Sequence, residues 1–235
     1  MKKKLNILYE DKNILIINKP AKVLTVATSK EKEHTLYQEV SAYVKKQYPK
    51  NKIFIVNRLD KDTSGIVVFA KNEKTKQNLQ KDWKEKAKVR EYIAIVEGKM
   101  KEKEGTIRNY LYEDKSLYVH ETDNPKKGGL AITHYQVLQQ SNKYSLVKII
   151  IETGKKNQIR VHLKGLGYPI IGDKKYGATK NPLGRLGLHA TYLELEISKG
   201  NILKIECPAP KEFYQVFGSA ANEKKSNDRY ERWSR

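Results

Sequence analysis

The chain has 235 residues, of which 38% are hydrophobic, so it is long enough for a substantial core and leaves one or two domains open. Its 47 lysines and arginines against 27 aspartates and glutamates give a formal net charge of +20, which favours a polyanionic partner such as nucleic acid. A single cysteine, Cys207, excludes an intramolecular disulfide and a cysteine-rich zinc site.

Two further sequence patterns bear on location and charge. No apolar run approaches the roughly 18 residues of a membrane span, and the basic start lacks the apolar stretch of a signal peptide. We therefore expect a cytoplasmic protein without a membrane partner. The positive charge is concentrated in stretches 71–90 and 155–185, which favours a nucleic-acid ligand, although a generally lysine-rich composition is the alternative explanation.

The first elements in chain order are a hairpin and a helix. Short β-prone runs at 5–9 and 14–18 flank a polar turn, which predicts two antiparallel strands. Apolar residues then recur at helical spacing over 34–48, with lysines on the opposite side, which predicts an amphipathic helix.

A polar segment, 57–65, lies between two apolar runs that predict buried strands at 53–56 and 66–70. Charged residues held between core strands are positioned rigidly, as a functional site requires. The same residues also suit a turn, because Asp60 or Asp62 is able to close an Asx turn. The chemistry of this loop alone therefore leaves a functional and a structural interpretation equally open.

The remainder of the chain predicts mainly strands. We expect a helix over 73–88 and a strand over 89–96, whereas 100–130 is ambiguous; later strands are predicted at 131–138, 144–151, 188–197 and 202–207. Asn157 is a candidate cap for a helix in which Arg160 and Lys164 share a polar face. This irregular order predicts an α+β fold with a mixed or mainly antiparallel sheet.

Five separated segments form a recognisable set of motifs. They are 7–20, 57–65 (Asn-Arg-Leu-Asp-Lys-Asp-Thr-Ser-Gly), 90–96, 153–173 and 185–190. In this order they resemble the motifs of the RluA-type pseudouridine synthases, and the resemblance covers about residues 5–217. It implies isomerisation of uridine to pseudouridine in structured ribosomal or transfer RNA, without a metal or organic cofactor. We expect the protein to be a monomer.

The resemblance also implies the architecture. We expect a catalytic domain over 1–217, built on a mixed, mainly antiparallel sheet that is split by a central cleft and flanked by helices. The polar, basic residues 218–235 are expected to form a mobile tail. We expect no small N-terminal S4 domain of the kind that some relatives carry, and this expectation favours a compact stem-loop substrate.

Three residues carry the chemistry that the resemblance implies. Asp60 is the nucleophile, Tyr92 faces the target base and moves a proton, and Arg160 is the basic partner that favours an ionised carboxylate. Arg58 fills the space that a flipped uridine leaves. The expected substrate contacts are Arg58, Lys61, Thr63, Lys155, Lys156 and Gln158.

Two departures from the family pattern concern the surroundings of these residues. The family usually has His at the position of Asn57, and usually has Arg-Thr-His where this chain has Lys155, Lys156 and Asn157. The retained aspartate, tyrosine and arginine support the same reaction. The departures affect substrate choice and local hydrogen bonding.

Two other functions remain as alternatives. A non-catalytic RNA-binding or ribosome-assembly factor would share the basic surface, but it has no need of a carboxylate facing phosphate. A nucleoside or glycoside hydrolase would use Asp60 and Asp62 as an acid pair, yet a neutral sugar does not require a charge of +20. The five histidines show no metal-ligand spacing, so no metal site is expected.

Overall fold

The computed structural model describes residues 5–29, 31 and 33–218, so the expected tail lies outside the described residues except for Gly218. Within these ranges the strands are β1 (Ile7–Glu10), β2 (Ile14–Lys19), β3 (Phe54–Ile55), β4 (Ser64–Ala70), β5 (Ala87–Glu97), β6 (Glu104–Glu113), β7 (Val119–Thr122), β8 (Gly129–Gln140), β9 (Tyr144–Ile151), β10 (Leu188–Ser198) and β11 (Asn201–Glu206). The helices are α1 (Leu36–Gln47), α2 (Glu73–Lys81), α3 (Trp83–Lys86), α4 (Gln158–Gly165) and α5 (Lys211–Gln215), with a 3₁₀ turn at Lys174–Tyr176.

All eleven described strands belong to one mixed sheet. Its main order is β1-β2-β4-β10-β5-β9-β8-β6-β7, with β3 on β4 and β11 on β10. The described pairings are antiparallel except β4 with β10, which is parallel and has only two residue pairs, Ser64 with His189 and Gly65 with Ala190. The predicted α+β class with a mainly antiparallel sheet is confirmed, and this short junction joins its two halves.

Gly65 makes the junction possible. Its φ of +112° is unfavourable for residues with a side chain, and a Cβ built there would lie 2.2 Å from the carbonyl oxygen of Ala190. Glycine therefore lets the backbones of β4 and β10 approach each other. The polar loop before β4 is thereby brought to the strands of the second half.

Helix α1 confirms the predicted amphipathic helix and covers one face of the N-terminal strands. Its buried residues Leu36, Val40 and Val44 pack with alternate residues of β2 and β4, including Ile17 and Phe69. The opposite side chains of β2 and β4 enter a second core cluster, so these strands are buried on both faces. Because both faces of β2 and β4 are buried, the sequences of these strands are continuous apolar runs.

Several predicted boundaries were wrong. The expected helix over 73–88 is divided at Asp82, whose ψ of 35° departs from helical geometry, and the chain is already in β5 at Ala87. The ambiguous region 100–130 forms β6 and β7, which pair with each other at the sheet edge. None of the described helices has the length and apolar character needed to cross a membrane.

Candidate active site

Asp60 lies in the loop between β3 and β4, and contacts on both sides hold its backbone. The Thr25 hydroxyl donates to the carbonyl of Leu59 at 2.8 Å, and Lys19 Nζ donates to the carbonyl of Lys61 at 3.0 Å. Thr63 N donates to the carbonyl of Asp60 itself, at 3.2 Å, which closes a tight turn. The loop therefore presents the Asp60 side chain, which is 29% exposed, from a fixed position.

Lys19 is fully buried and is the central support of this loop. Besides Lys61, its Nζ donates to the carbonyls of Pro20 and Val23, at 3.0 and 2.7 Å. Burial lowers the pKa of Lys19 to about 7, although the charge of Asp62 opposes the shift. The motif containing Lys19 thus serves to hold the loop that carries Asp60.

The carboxylate of Asp60 contacts two side chains from the segment that follows β9, one just before α4 and one within it. Asn157 Nδ2 donates to Asp60 Oδ2 at 2.6 Å, and Arg160 Nη1 donates to the same oxygen at 3.2 Å. The backbone of this loop does form a turn, as the structural interpretation expected. The carboxylate of Asp60, however, faces residues that are distant in the sequence. The structure therefore brings Asp60 and Arg160 together.

Arg160 is buried in α4, which rules out the alternative that it is a surface residue beside Lys164. The reason for its burial is Asp173, a buried carboxylate that accepts hydrogen bonds from Arg160 Nε at 2.7 Å and Nη2 at 2.8 Å. Burial by itself would lower the pKa of Arg160, but the hydrogen bonds and charges of Asp173 and Asp60 outweigh it and raise the pKa. The guanidinium is thus a fixed positive charge beside Asp60.

Asn157 has a different role from the predicted helix cap. It precedes α4 with a φ of 54°, in the left-handed region, and its side chain makes no capping hydrogen bond. Instead, Asn157 Oδ1 accepts a hydrogen bond from the hydroxyl of Tyr176 at 3.1 Å, which leaves the amide nitrogen directed at Asp60. Burial raises the pKa of Tyr176 to about 12, so this hydroxyl is protonated at neutral pH.

Tyr92 lies in β5, partly buried between the two largest clusters of core residues. Burial raises the pKa of Tyr92; the charge of Arg90 opposes this shift and that of Asp60 adds to it. The phenol is therefore protonated at neutral pH and interacts electrostatically with Asp60.

The predicted substrate contacts fall into two groups. Arg58, Lys61, Lys155 and Lys156 are exposed; Lys61 pairs with Glu31 and Lys156 pairs with Glu113. Within the described ranges, Arg58 forms no ion pair with Asp62.

Thr63 and Gln158 are buried instead, which argues against direct contact with RNA. The side chain of Gln158 is occupied by the hydroxyls of Thr133 and Thr153 and by the carbonyl of Ile132, at 2.8 to 3.0 Å. It therefore supports the turn before α4. Asn57 stands where the family usually has histidine. Its side-chain oxygen accepts a hydrogen bond from Val68 N at 2.8 Å and so orders the loop.

Sequence reasoning missed two members of this network. Asp173 falls inside a motif segment that resembles the family, but nothing in the sequence paired it with Arg160. Tyr176 follows it in the 3₁₀ turn and gave no signal of its own. Across the described part of the chain, no cluster of His, Cys, Asp or Glu residues is arranged to hold a metal ion.

The sequence of this chain is similar to those of known RNA pseudouridine synthases. The sequence pattern of the RNA pseudouridylate synthase family matches residues 13–164. An uncharacterised RNA pseudouridine synthase of Bacillus subtilis is 38% identical over 192 residues, which is 81% of this chain and 63% of that protein. The ribosomal large subunit pseudouridine synthase D of Borreliella burgdorferi is 35% identical over 214 residues, with coverages of 88% and 66%.

The fold of this chain is also similar to that of a solved structure from a pseudouridylate synthase domain protein. The structure of human RNA pseudouridylate synthase domain containing 4 is similar with a TM-score of 0.73 and 25% identity, and the match covers 88% of this chain and 90% of that one. This chain spans a little less than two thirds of the length of the two bacterial relatives. By sequence pattern and by fold, the chain belongs to the RNA pseudouridylate synthase family.

Proposed function

We propose that this protein isomerises uridine to pseudouridine in RNA and that Asp60 is its nucleophile. The observation that carries the proposal is the setting of the Asp60 carboxylate. It is partly exposed, its loop is anchored on both sides, and Asn157 and Arg160 bind a single one of its oxygens. Among the described residues no side chain binds the second carboxylate oxygen, which is therefore left for a substrate.

The reaction needs a carboxylate near the sugar of the target nucleotide. The bond between N1 of the base and C1′ of the ribose breaks, and a bond between C5 and C1′ forms. A proton leaves C5 and N1 gains one, so atoms and charge balance. Asp60 attacks or stabilises the electron-poor sugar, as carboxylates do in glycoside chemistry, and Arg160 holds the carboxylate in place by a hydrogen bond.

A uridine in folded RNA reaches Asp60 only after it is flipped out of its stack, at a cost of a few kcal/mol. Stacking on Tyr92 returns roughly 1 to 3 kcal/mol, which about offsets that cost. The phenol of Tyr92 also donates a hydrogen bond or moves a proton in the later steps. Arg58, exposed in the same loop, takes the place of the flipped base and contacts phosphate.

The substrate class follows from the charge and the relatives. A net charge of +20 suits a polyanion, and relatives of this chain include enzymes named for the large ribosomal subunit. We therefore place a stem-loop of ribosomal RNA first and transfer RNA second as the substrate. The proposed enzyme acts as a cytoplasmic monomer.

The decisive experiment measures tritium release from cellular RNA that carries tritium at C5 of uridine. The protein is expected to release tritium, and Asp60→Ala is expected to stop release while RNA binding is retained. Asp62→Ala is the matched control, because it removes an exposed carboxylate two residues away. Release by Asp60→Ala at the rate of the unaltered protein would contradict the assignment.

The same experiment separates the alternatives. A hydrolase that uses both carboxylates would leave the C5–H bond intact, so it would release no tritium and would liberate free base instead of pseudouridine. A non-catalytic RNA-binding factor would bind RNA without any release. Mapping of pseudouridines in RNA from cells with and without the gene then identifies the target nucleotide.

A further inference from the structure

A row of four aromatic rings leads from the candidate active site toward the sheet edge formed by β6 and β7. Tyr176 begins the row, because its hydroxyl binds Asn157, the partner of Asp60. The ring of Tyr118 lies 4.8 Å from that of Tyr176 and 4.7 Å from that of His120. The ring of Tyr112 follows, 5.1 Å from His120 and inclined to it by 20°.

These four rings line an open pocket of about 230 Å³. The remaining lining residues are Val119, Glu121, Val161 and Lys164. Aromatic and aliphatic side chains line the pocket, but its accessible surface is mostly polar. An unpaired nucleobase, which has a flat face and hydrogen-bonding edges, suits such a lining. The carboxylate of Glu121 at its side repels phosphate, so the base is the part of a nucleotide that fits inside.

Lysines surround the rings. Lys127 Nζ lies 4.0 Å from the centre of the Tyr112 ring, and Lys175 Nζ lies 5.6 Å from that of Tyr118. Both lysines are exposed, as is Lys164 at the pocket. A base is therefore able to displace the ammonium groups from the ring faces, and these groups then meet the phosphates on either side of it.

We propose that this pocket binds an unpaired base of the substrate RNA close in sequence to the target uridine. The proposal rests on the function proposed above, and the two are connected by Tyr176, which lines the pocket and also binds Asn157. Bases stack on aromatic side chains without a strong sequence requirement. The pocket thus favours RNA that has an unpaired nucleotide near the target. Such RNA forms a loop at this point and not a continuous double helix.

The test measures binding first, because binding does not depend on catalysis. The probe is a fluorescein-labelled single-stranded RNA of random sequence, titrated with protein at fixed salt. Tyr112→Leu is expected to weaken binding roughly tenfold, the contribution of one stacked base. Tyr112→Phe keeps the ring and is expected to restore most of the affinity. The matched control is Tyr48→Leu, at an exposed tyrosine beyond α1.

A second variant tests the same pocket in case Tyr112→Leu does not fold. Lys164→Glu reverses an exposed charge at the pocket and is expected to weaken binding more than Lys50→Glu, at an exposed lysine elsewhere. The KM for tritium release should rise in parallel. Pocket variants that bind RNA like their controls overturn the pocket proposal. A failure of the unaltered protein to release tritium, with the binding differences intact, overturns the proposed function instead.

Discussion

Asn157 Nδ2 lies 2.6 Å from Asp60 Oδ2, closer than Arg160 Nη1, which lies 3.2 Å from the same oxygen. The amide, at a position where the family usually has histidine, is therefore the shortest contact of the carboxylate. Because Tyr176 occupies the amide oxygen, the orientation of the amide group is determined. Asn157 thus sets the direction in which the free carboxylate oxygen points.

Replacement of Asn157 tests this role. Asn157→Gly suits the left-handed backbone and removes only the side chain, so the hydrogen bonds to Asp60 and from Tyr176 are lost without a change of backbone conformation. A hydrogen bond to a charged group contributes about 1.5 to 3 kcal/mol, and we expect kcat to fall roughly 10- to 100-fold. Single-turnover tritium release gives the rate. A rate equal to that of the unaltered protein would remove Asn157 from the account.

The pairing of Arg160 with Asp173 is expected to stabilise the fold. Asp173→Asn keeps the shape but removes the charge that opposes a buried guanidinium, so we expect a loss of about 3 kcal/mol in the free energy of unfolding. Urea denaturation measures it. Asp123→Asn, at an exposed site, is the control and should change stability by less than about 0.5 kcal/mol.

Lys19→Met removes the donor shared by three carbonyls around the Asp60 loop. Buried acceptors without partners cost about 1 to 3 kcal/mol each, and the loop also loses its anchor. We expect lower stability in urea together with slower tritium release. Lys12→Met, at an exposed lysine of the first turn, should leave both unchanged. Normal release by Lys19→Met would show that Thr25 alone holds the loop.

Two buried histidines predict a loss of stability in acid. Burial lowers the pKa of His162 and His189 to about 4, against about 6.5 in the unfolded chain. The unfolded chain therefore binds more protons between pH 6.5 and 4, and the free energy of unfolding falls as pH falls through that window. From pH 7 to 5 the loss is about 2 kcal/mol per histidine.

Urea denaturation at several pH values measures this loss. In His162→Gln the acid-side slope should be about half as steep, because an amide does not titrate. A slope that this change leaves as steep would mean that His162 does not contribute.

The sequence predicted the elements whose signal is local. Helix α1 was predictable from its apolar spacing, and the structure adds a capping box at Thr35. Strands β2 and β4 were predictable because both of their faces are buried. Strands β6 and β7 were not, because only Leu111 and Val119 are fully buried there and the other side chains are polar or partly exposed. Their pairing depends on distant parts of the chain.

The candidate site shows the same division. Asp60 and Arg160 were predicted through motifs, and their contact is observed. The burial of Arg160 was missed because helical spacing assigns a charged residue to the surface, whereas a partner carboxylate thirteen residues later permits burial. Asn157 was assigned to a cap for a similar reason, since a local rule cannot foresee a partner 97 residues away.

The parallel contact of β4 with β10 has a consequence for how activity depends on folding. Asp60, the proposed nucleophile, lies on one side of this two-residue junction, and Asn157 and Arg160 lie on the other. Neither half contains a complete site, so the catalytic arrangement exists only while both halves are folded and docked. Under mild denaturation we expect activity to be lost before either half loses its strands. Activity is then the most sensitive measure of whether the junction between β4 and β10 is intact.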